Sequence, residues 1–316
     1  MLKYLEIDYK RLKLKINKFS QINLITGANN IGKTSLLEAC SFAILKSADS
    51  VIINQFQILE KRDPELVLKI DNNISFLKKF KERVSSFTIN SNISNIKFIN
   101  SNSLEYLFSV NINSTLKEYK EIINPMIVQS DFFNSAFIVD CGGSVIKLKE
   151  WYYEVKKNQD EKFIIENIRI FDSNIEIFDI IDDEPSIKIK NKKEFISITE
   201  AGDGLKRFIF ILLAFYKAKN GYIFIDEFEN GIWYKNYDLI WKNIILLSKK
   251  FNTQIFITTH SKEVIDSFVR ICNYSKFDDV SFVELISDLD NNVKSIVLNK
   301  SELEDELLSF QEVRGW

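Results

Sequence analysis

The chain has 316 residues, 46% of them hydrophobic and 27% charged, with nine glycines and three prolines. This composition is globular, excludes a long flexible linker or low-complexity tract, and suits one large α/β domain or two intimate ones. A formal net charge of −2 gives no overall basic footprint for nucleic acid, so DNA contact would have to rest on a local patch.

Cys40, Cys141 and Cys272 are widely spaced and form no CxxC pair. That pattern suits buried thiols in a reducing cytoplasm better than a disulfide framework or a zinc site. The longest apolar run, Phe208 to Tyr216, is too short to cross a bilayer, and the opening MLKYLEIDYKR lacks the apolar core of a signal peptide. A cytoplasmic protein without a membrane partner is expected.

Residues 2 to 16 alternate charged and apolar side chains, with Leu2, Tyr4 and Ile7 followed by Leu12, Leu14 and Ile16, which predicts a hairpin of two half-buried strands. Tyr9 and Arg11 at its turn are candidates to stack on an adenine ring; a solvated turn is the alternative. Residues 21 to 35, QINLITGANNIGKTS, then read as a strand, a glycine-rich loop and a helix start. Gly27 turns the chain off the strand, and Gly32 brings backbone N–H groups close to phosphate oxygens at the helix N-terminus. Asn29, Asn30 and Ser35 complete the loop. Lys33 is placed to reach the β- and γ-phosphates, and the Thr34 hydroxyl to take a position on Mg²⁺.

From 50 to 110, strand-like pieces (ELVLKI, ISFLKKF, SSFTIN, NIKFIN) separated by Asn/Ser-rich turns predict a mainly antiparallel β subdomain. Its basic run, Lys78, Lys79, Lys81 and Arg83, reads as a solvated strand face or as a phosphate contact. Pro125 opens a buried-looking strand ending at Gln129, where open α/β sheets place ligand groups. Gln129 is therefore a candidate to position water or Mg²⁺, with a turn-capping role as its alternative. Residues 149 to 171 carry an apolar stripe (Trp151, Val155, Phe163, Ile164, Ile168) that predicts a helical subdomain or lid. A hairpin-like region broken by Pro185 follows, with Lys188, Lys190, Lys192 and Lys193 facing solvent.

TEAGDGLKRFIFILLAFYKAKN predicts a glycine turn opening a strongly apolar helix. The helix start behind Gly202, Asp203 and Gly204 is a second anion-type site. GYIFIDEFENG places a buried strand before Asp226, read as a Mg²⁺ ligand, and Glu227, read as general base. TQIFITTHSK repeats the design and ends in His260, read as a γ-phosphate or water contact. The last segment predicts a hairpin and a short acidic helix.

The order of these motifs resembles an ABC-type ATPase head, and their details resemble the AAA-annotated ATP-binding proteins related to the OLD-family nucleases, whose heads are similar to those of SMC proteins. GANNIGKTSLLEA, AGDGLKRF, IDEFENGIWY, QIFITTHS and the closing EVRG carry the resemblance. It implies an α/β P-loop head with a mixed, parallel-cored sheet, an antiparallel β subdomain and a helical lid insertion. The expected division is a core of 1–48 and 195–316, a β subdomain at 49–124 and an insertion at 125–194. It further implies Mg²⁺-dependent ATP hydrolysis, with His260 as a switch histidine and Gly202–Gly204 where ABC signatures read Ser-Gly-Gly. Gly202 in place of Ser removes a hydroxyl, and Trp233 stands where a histidine is expected. The implied partners are a second copy of the chain and a separate effector, in anti-phage defence; OLD-family nucleases carry a C-terminal TOPRIM nuclease domain where this sequence shows only a short helix, so nuclease activity in cis is not expected. The alternative is an SMC-like DNA-binding structural or repair module with slow hydrolysis, and a transporter ATPase subunit ranks third.

Overall fold

A computed structural model describes residues 1–62, 83–101, 108–119, 135–138 and 145–308. The chain opens with β1 (Leu5–Tyr9), β2 (Leu12–Ile16), β3 (Ile22–Gly27), α1 (Lys33–Ala43) and α2 (Ala48–Arg62). Then come β4 (Phe87–Ser91), β5 (Asn95–Asn100), β6 (Phe108–Ile112), β7 (Thr115–Tyr119) and β8 (Ser135–Ile138). The middle holds α3 (Val145–Lys157), α4 (Glu161–Phe171), β9 (Ile175–Ile181), β10 (Glu184–Ile189) and β11 (Ile196–Ser197). The last third runs α5 (Asp203–Lys217), β12 (Tyr222–Ile225), α6 (Tyr237–Phe251), β13 (Gln254–Thr258), α7 (Lys262–Tyr274), β14 (Val280–Ser287), β15 (Val293–Leu298) and α8 (Lys300–Leu308). These elements fall into two compact units, one of Met1–Phe19, Asn29–Phe132 and Leu285–Val297, the other of Ser20–Ala28, Phe133–Glu284 and Leu298–Trp316.

The first unit is built on an antiparallel sheet in the order β2-β1-β4-β5-β6-β7. Period-two alternation buries Leu5, Ile7 and Tyr9 of β1 and Leu12, Leu14 and Ile16 of β2 on one face. A row of rings runs through this unit, Phe42 against Phe87 at 4.9 Å, Phe87 against Phe98 at 5.0 Å and Phe98 against Phe108 at 5.5 Å. The opening hairpin, expected with the core of 195–316, pairs through β1 with β4, which continues its apolar face into the aromatic row, Tyr9 lying 5.3 Å from Phe87. Residues 48–62 are helical where the β subdomain was expected to begin, and Asp49 ties α2 to β7 through the Tyr119 hydroxyl at 2.8 Å and Lys117 at 2.6 Å. SSFTIN and NIKFIN supply β4 and β5 as expected. The expected strands ELVLKI and ISFLKKF, with Lys78, Lys79 and Lys81, lie outside the described residues, as do Cys141, Gln129 and the strand leading to it. The β6–β7 hairpin, not foreseen, turns on Asn113 and Ser114 at φ 50° and 70°, the left-handed pair that a tight two-residue hairpin requires.

The second unit holds parallel strands, β8 beside β12, β12 beside β13 and β13 beside β3, with β14 next to β3. Parallel strands are covered on both faces, and Ile22, Leu24, Ile223, Ile225, Ile255 and Ile257 are all buried. The apolar run of Phe208–Tyr216 is the body of α5, buried throughout and packed among α3, α4 and α6. The stripe at 149–171 divides into α3 and α4 at Asn158–Asp160, with Gln159 at φ 58°. Tyr216 of α5 fixes that break, its hydroxyl donating to Asp160 at 2.7 Å and accepting from the Asn158 amide at 2.9 Å. Pro185 does not break the following hairpin: it lies in β10 opposite Ile180, and the turn is made by Asp182 and Asp183 at φ 49° and 66°. The closing hairpin and short helix appear as β14, β15 and α8. Among the described residues no helix is long and apolar enough to cross a membrane.

Candidate functional site

The glycine-rich loop follows β3, whose residues are all buried; Gly27 closes the strand at φ 139° and α1 begins at Lys33. Gly27 and Ala28 belong to the second unit, and Asn29 to Ser35 to the first. Asn29 and Asn30 are exposed, while Lys33, Thr34 and Ser35 are half-buried. Gly32 is the helix N-cap at φ 119° and offers no side-chain cap, the form of helix start whose N–H groups suit an anion. A Cβ there would stand 2.8 Å from Leu12 Cδ2, so both backbone angle and packing demand glycine.

The β1–β2 turn is fastened to this loop and its helix. Arg11 donates to Asn30 Oδ1 at 3.3 Å, and Glu38 of α1 accepts from Lys10 at 2.6 Å and from the Tyr9 hydroxyl at 3.1 Å. Tyr9 is buried, with Phe42 and Phe87 rings at 5.8 and 5.3 Å. The expectation that Tyr9 stacks on adenine is thereby corrected, since its ring faces are spent on the core; of the two candidates only Arg11 is exposed.

In the second unit β12 delivers Asp226, 5% exposed, and then Glu227, exposed and at φ 48°. The neighbouring strand supplies the residue that shapes this tip. Thr258 donates its hydroxyl to Asp226 Oδ1 at 2.5 Å and accepts the Glu227 N–H at 2.8 Å, while its carbonyl accepts the Phe228 N–H at 3.0 Å. Glu227 also accepts from the Asn230 amide. From α5, the buried Arg207 donates to the carbonyl oxygens of Asp226 at 2.9 Å and Glu227 at 3.4 Å.

His260 stands just past β13. Its Nδ1 is 2.7 Å from Glu229 Oε1, and its backbone N–H donates to the same oxygen at 2.8 Å. Thr259 donates its hydroxyl to Glu229 Oε2 at 2.8 Å. The glycine turn at the start of α5 belongs to the same unit: Gly202 is its N-cap at φ 102°, Asp203 is exposed, and a Cβ on Gly204 would lie 3.5 Å from the Gly231 carbonyl and 3.6 Å from Phe171 Cζ. The second unit thus holds Asp226 and Glu227, tied by Thr258 and Arg207, and His260, tied by Glu229, while the Gly202–Gly204 turn lies beside Gly231 and Phe171. Sequence reasoning missed Thr258, Glu229 and Arg207. The strand register was the available signal for Thr258, because Ile225 opposite Ile257 puts Thr258 beside Asp226.

Both described cysteines, Cys40 and Cys272, are buried and unbridged. Burial pushes the Cys272 thiol up to about 12 and raises Cys40 further, which leaves both as inert packing groups.

Comparison with known proteins agrees with this architecture. The profile of the AAA ATPase domain matches residues 144–265, the stretch that contains α5, β12 and β13. A curated "ATP/GTP phosphatase" of Helicobacter pylori (strain ATCC 700392 / 26695) is 26% identical over 325 residues, covering 85% of this chain and 88% of that protein. Among solved structures, an SMC head bound to the C-terminal winged-helix domain of ScpA aligns with a TM-score of 0.53 at 14% identity, covering 94% of this chain and 97% of that one. An Smc head domain with an extended coiled coil, bound to the C-terminal domain of ScpA derived from Pyrococcus furiosus, aligns with a TM-score of 0.56 at 12% identity over 99% and 100%. The chain is an ATPase, with an α/β fold of the P-loop ATPase-head kind similar to that of SMC heads.

Proposed function

We propose that this ATPase is an ABC-type nucleotide switch, in which ATP closes two copies of the chain and hydrolysis releases them. The observation that carries the reading is α5. One helix presents the Gly202–Gly204 turn at its start and, one turn later, holds the backbone of Asp226 and Glu227 through Arg207. An anion met at the helix start is thereby linked to the catalytic carboxylates by a single rigid element.

In this reading Gly27, Asn29, Asn30, Gly32, Lys33, Thr34 and Ser35 cradle the phosphates, and Glu227 is the general base toward the attacking water. His260 contacts the reacting end of the nucleotide, and Gly202, Asp203 and Gly204 cover the γ-phosphate of the opposite copy. Mg²⁺ suits the donor set, since it binds through one or two protein oxygens plus phosphates and water. The Thr34 hydroxyl and the buried Asp226 carboxylate would hold it, and Gln129 is a further candidate. When bound it would neutralise charge on the phosphates. Glu227→Gln keeps the side-chain shape and removes the base, so turnover should fall roughly a hundredfold or more while ATP binding by calorimetry is retained. Wild-type turnover in that variant would assign the base elsewhere.

A separate effector and a role in anti-phage defence follow from the resemblance to proteins related to the OLD-family nucleases. The ScpA domains bound to both SMC heads support a protein partner for this chain as well. The SMC-like fold also favours a second reading, a slowly hydrolysing DNA-binding module. A DNA mobility shift that weakens steeply with salt supports that second reading; its absence leaves the protein-effector switch.

A further inference from the structure

His260 is the single histidine of the chain, and its side chain is about half exposed, whereas that of Glu229 is only 10% exposed. Both oxygens of Glu229 are directed at the segment that carries the histidine. Oε1 takes the His260 backbone N–H and faces ring Nδ1, and Oε2 takes the Thr259 hydroxyl. The Thr259 hydroxyl in turn accepts the Ser261 N–H at 3.1 Å. An ionised carboxylate has acceptors only, so the proton of the Nδ1–Oε1 contact belongs to the imidazole.

We propose that Glu229 is the positioning residue of the site, fixing His260 as the Nδ1–H tautomer with its Nε2 lone pair toward the nucleotide. This rests on the reading of His260 as a contact at the reacting end. A neutral ring held this way can only accept at Nε2, so its partner there is a donor such as the attacking water and not an unprotonated phosphate oxygen. It can donate to a phosphate oxygen only after gaining a proton at Nε2, and Glu229 then supplies the countercharge. Which nitrogen carries the proton is set by the bond the other one makes. Three contacts from one carboxylate also fix the ring's orientation, as outer partners do for histidines in other sites.

The uniqueness of His260 makes the test direct, because two-bond proton–nitrogen correlations on the uniformly ¹⁵N-labelled full chain show one imidazole. Above the imidazole titration range, the wild type should show the Nδ1–H pattern. Glu229→Gln, whose amide oxygen can still accept at the Oε1 position, should keep that pattern, and Glu229→Ala should move toward Nε2–H. Turnover should fall about tenfold in Glu229→Ala and recover for the most part in Glu229→Gln. A wild-type Nε2–H pattern overturns the proposal even if the alanine variant fails to fold, and so does an unchanged Nδ1–H pattern in a folded Glu229→Ala. Undiminished turnover in His260→Ala would instead overturn the reading of the site on which the proposal rests, a result distinguishable from the tautomer spectrum.

Discussion

The Arg207 guanidinium, 1% exposed, donates to the Asp226 carbonyl oxygen at 2.9 Å and reaches the Glu227 carbonyl at 3.4 Å. A cation spent on two backbone carbonyls fixes where β12 ends and how the chain leaves it, and Glu227 leaves it at φ 48°, a left-handed angle that costs energy for a residue with a side chain. Arg207→Met keeps the apolar stem and removes the donors. Stability to urea should drop by about 2 kcal/mol, the scale of hydrogen bonds to charged groups. Turnover should fall more than nucleotide affinity, because the tip that carries Glu227 loosens while the P-loop is untouched. Turnover and affinity reduced in equal proportion would mark Arg207 as a stabilising residue without a role in aligning the base.

Gly32 can be tested by a single methyl. Its φ of 119° lies where L side chains are strained, and a Cβ would stand 2.8 Å from the fully buried Leu12. Gly32→Ala should lower stability by about 1–3 kcal/mol and weaken ATP binding in calorimetry, since a residue with a side chain is strained at φ 119° and its methyl group displaces Leu12. Retained affinity would show that the loop meets the nucleotide without the geometry Gly32 gives it.

The parts of the site legible in the sequence are those set by local rules. The largely apolar runs at Ile22–Ile25, Tyr222–Ile225 and Ile255–Ile257 each form a largely buried strand, with Gly27 closing the first, Asp226 and Glu227 directly after the second and His260 two residues past the third. What escaped is the polar wiring between those ends. Arg207 bonds a carbonyl 19 positions away and Glu229 a residue 31 positions away, and in sequence each is one more charged side chain in a charged stretch. The break at Gln159 was hidden for the same reason, because the group that fixes it is Tyr216 on another helix. The opening hairpin was read correctly as a hairpin, but its partner β4 lies across the α1–α2 stretch, and period-two alternation does not name a partner.

Glu284 makes stability depend on pH. Burial, with the neighbouring charge of Glu306 adding to it, pushes its carboxyl up to about 7, above the ordinary value of 4.5. The folded state therefore holds its proton more tightly than the unfolded chain, and the contribution is present below pH 4.5 and is lost as pH rises toward 7. Glu284→Gln removes the ionisation. The variant should melt higher than the wild type at pH 8 and show no such gain at pH 4. A melting difference independent of pH would mean that Glu284 ionises normally in the fold.

The proposed closure of two copies is tested at Gly204. The position sits in the first turn of α5, and a Cβ there meets the Gly231 carbonyl at 3.5 Å and Phe171 at 3.6 Å, ordinary contact distances, so Gly204→Ala fits without rearrangement. Gly204→Asp has room for its Cβ too, but it sets a second carboxylate beside Asp203 at the helix start. A helix N-terminus attracts anions through its partial positive charge, and a carboxylate placed there would answer that charge in place of a phosphate. In the Glu227→Gln background, where ATP should bind and persist, ATP with Mg²⁺ should raise the mass seen by light scattering toward a dimer. Gly204→Ala should leave that shift intact and Gly204→Asp should block it, while both keep ATP binding through Lys33 and the P-loop. If Gly204→Asp closes normally, the Gly202–Gly204 turn faces no phosphate and the head-to-tail sandwich is the wrong assembly. If both variants fail to close while ATP still binds, the turn is needed for its shape and the charge at the helix start is irrelevant.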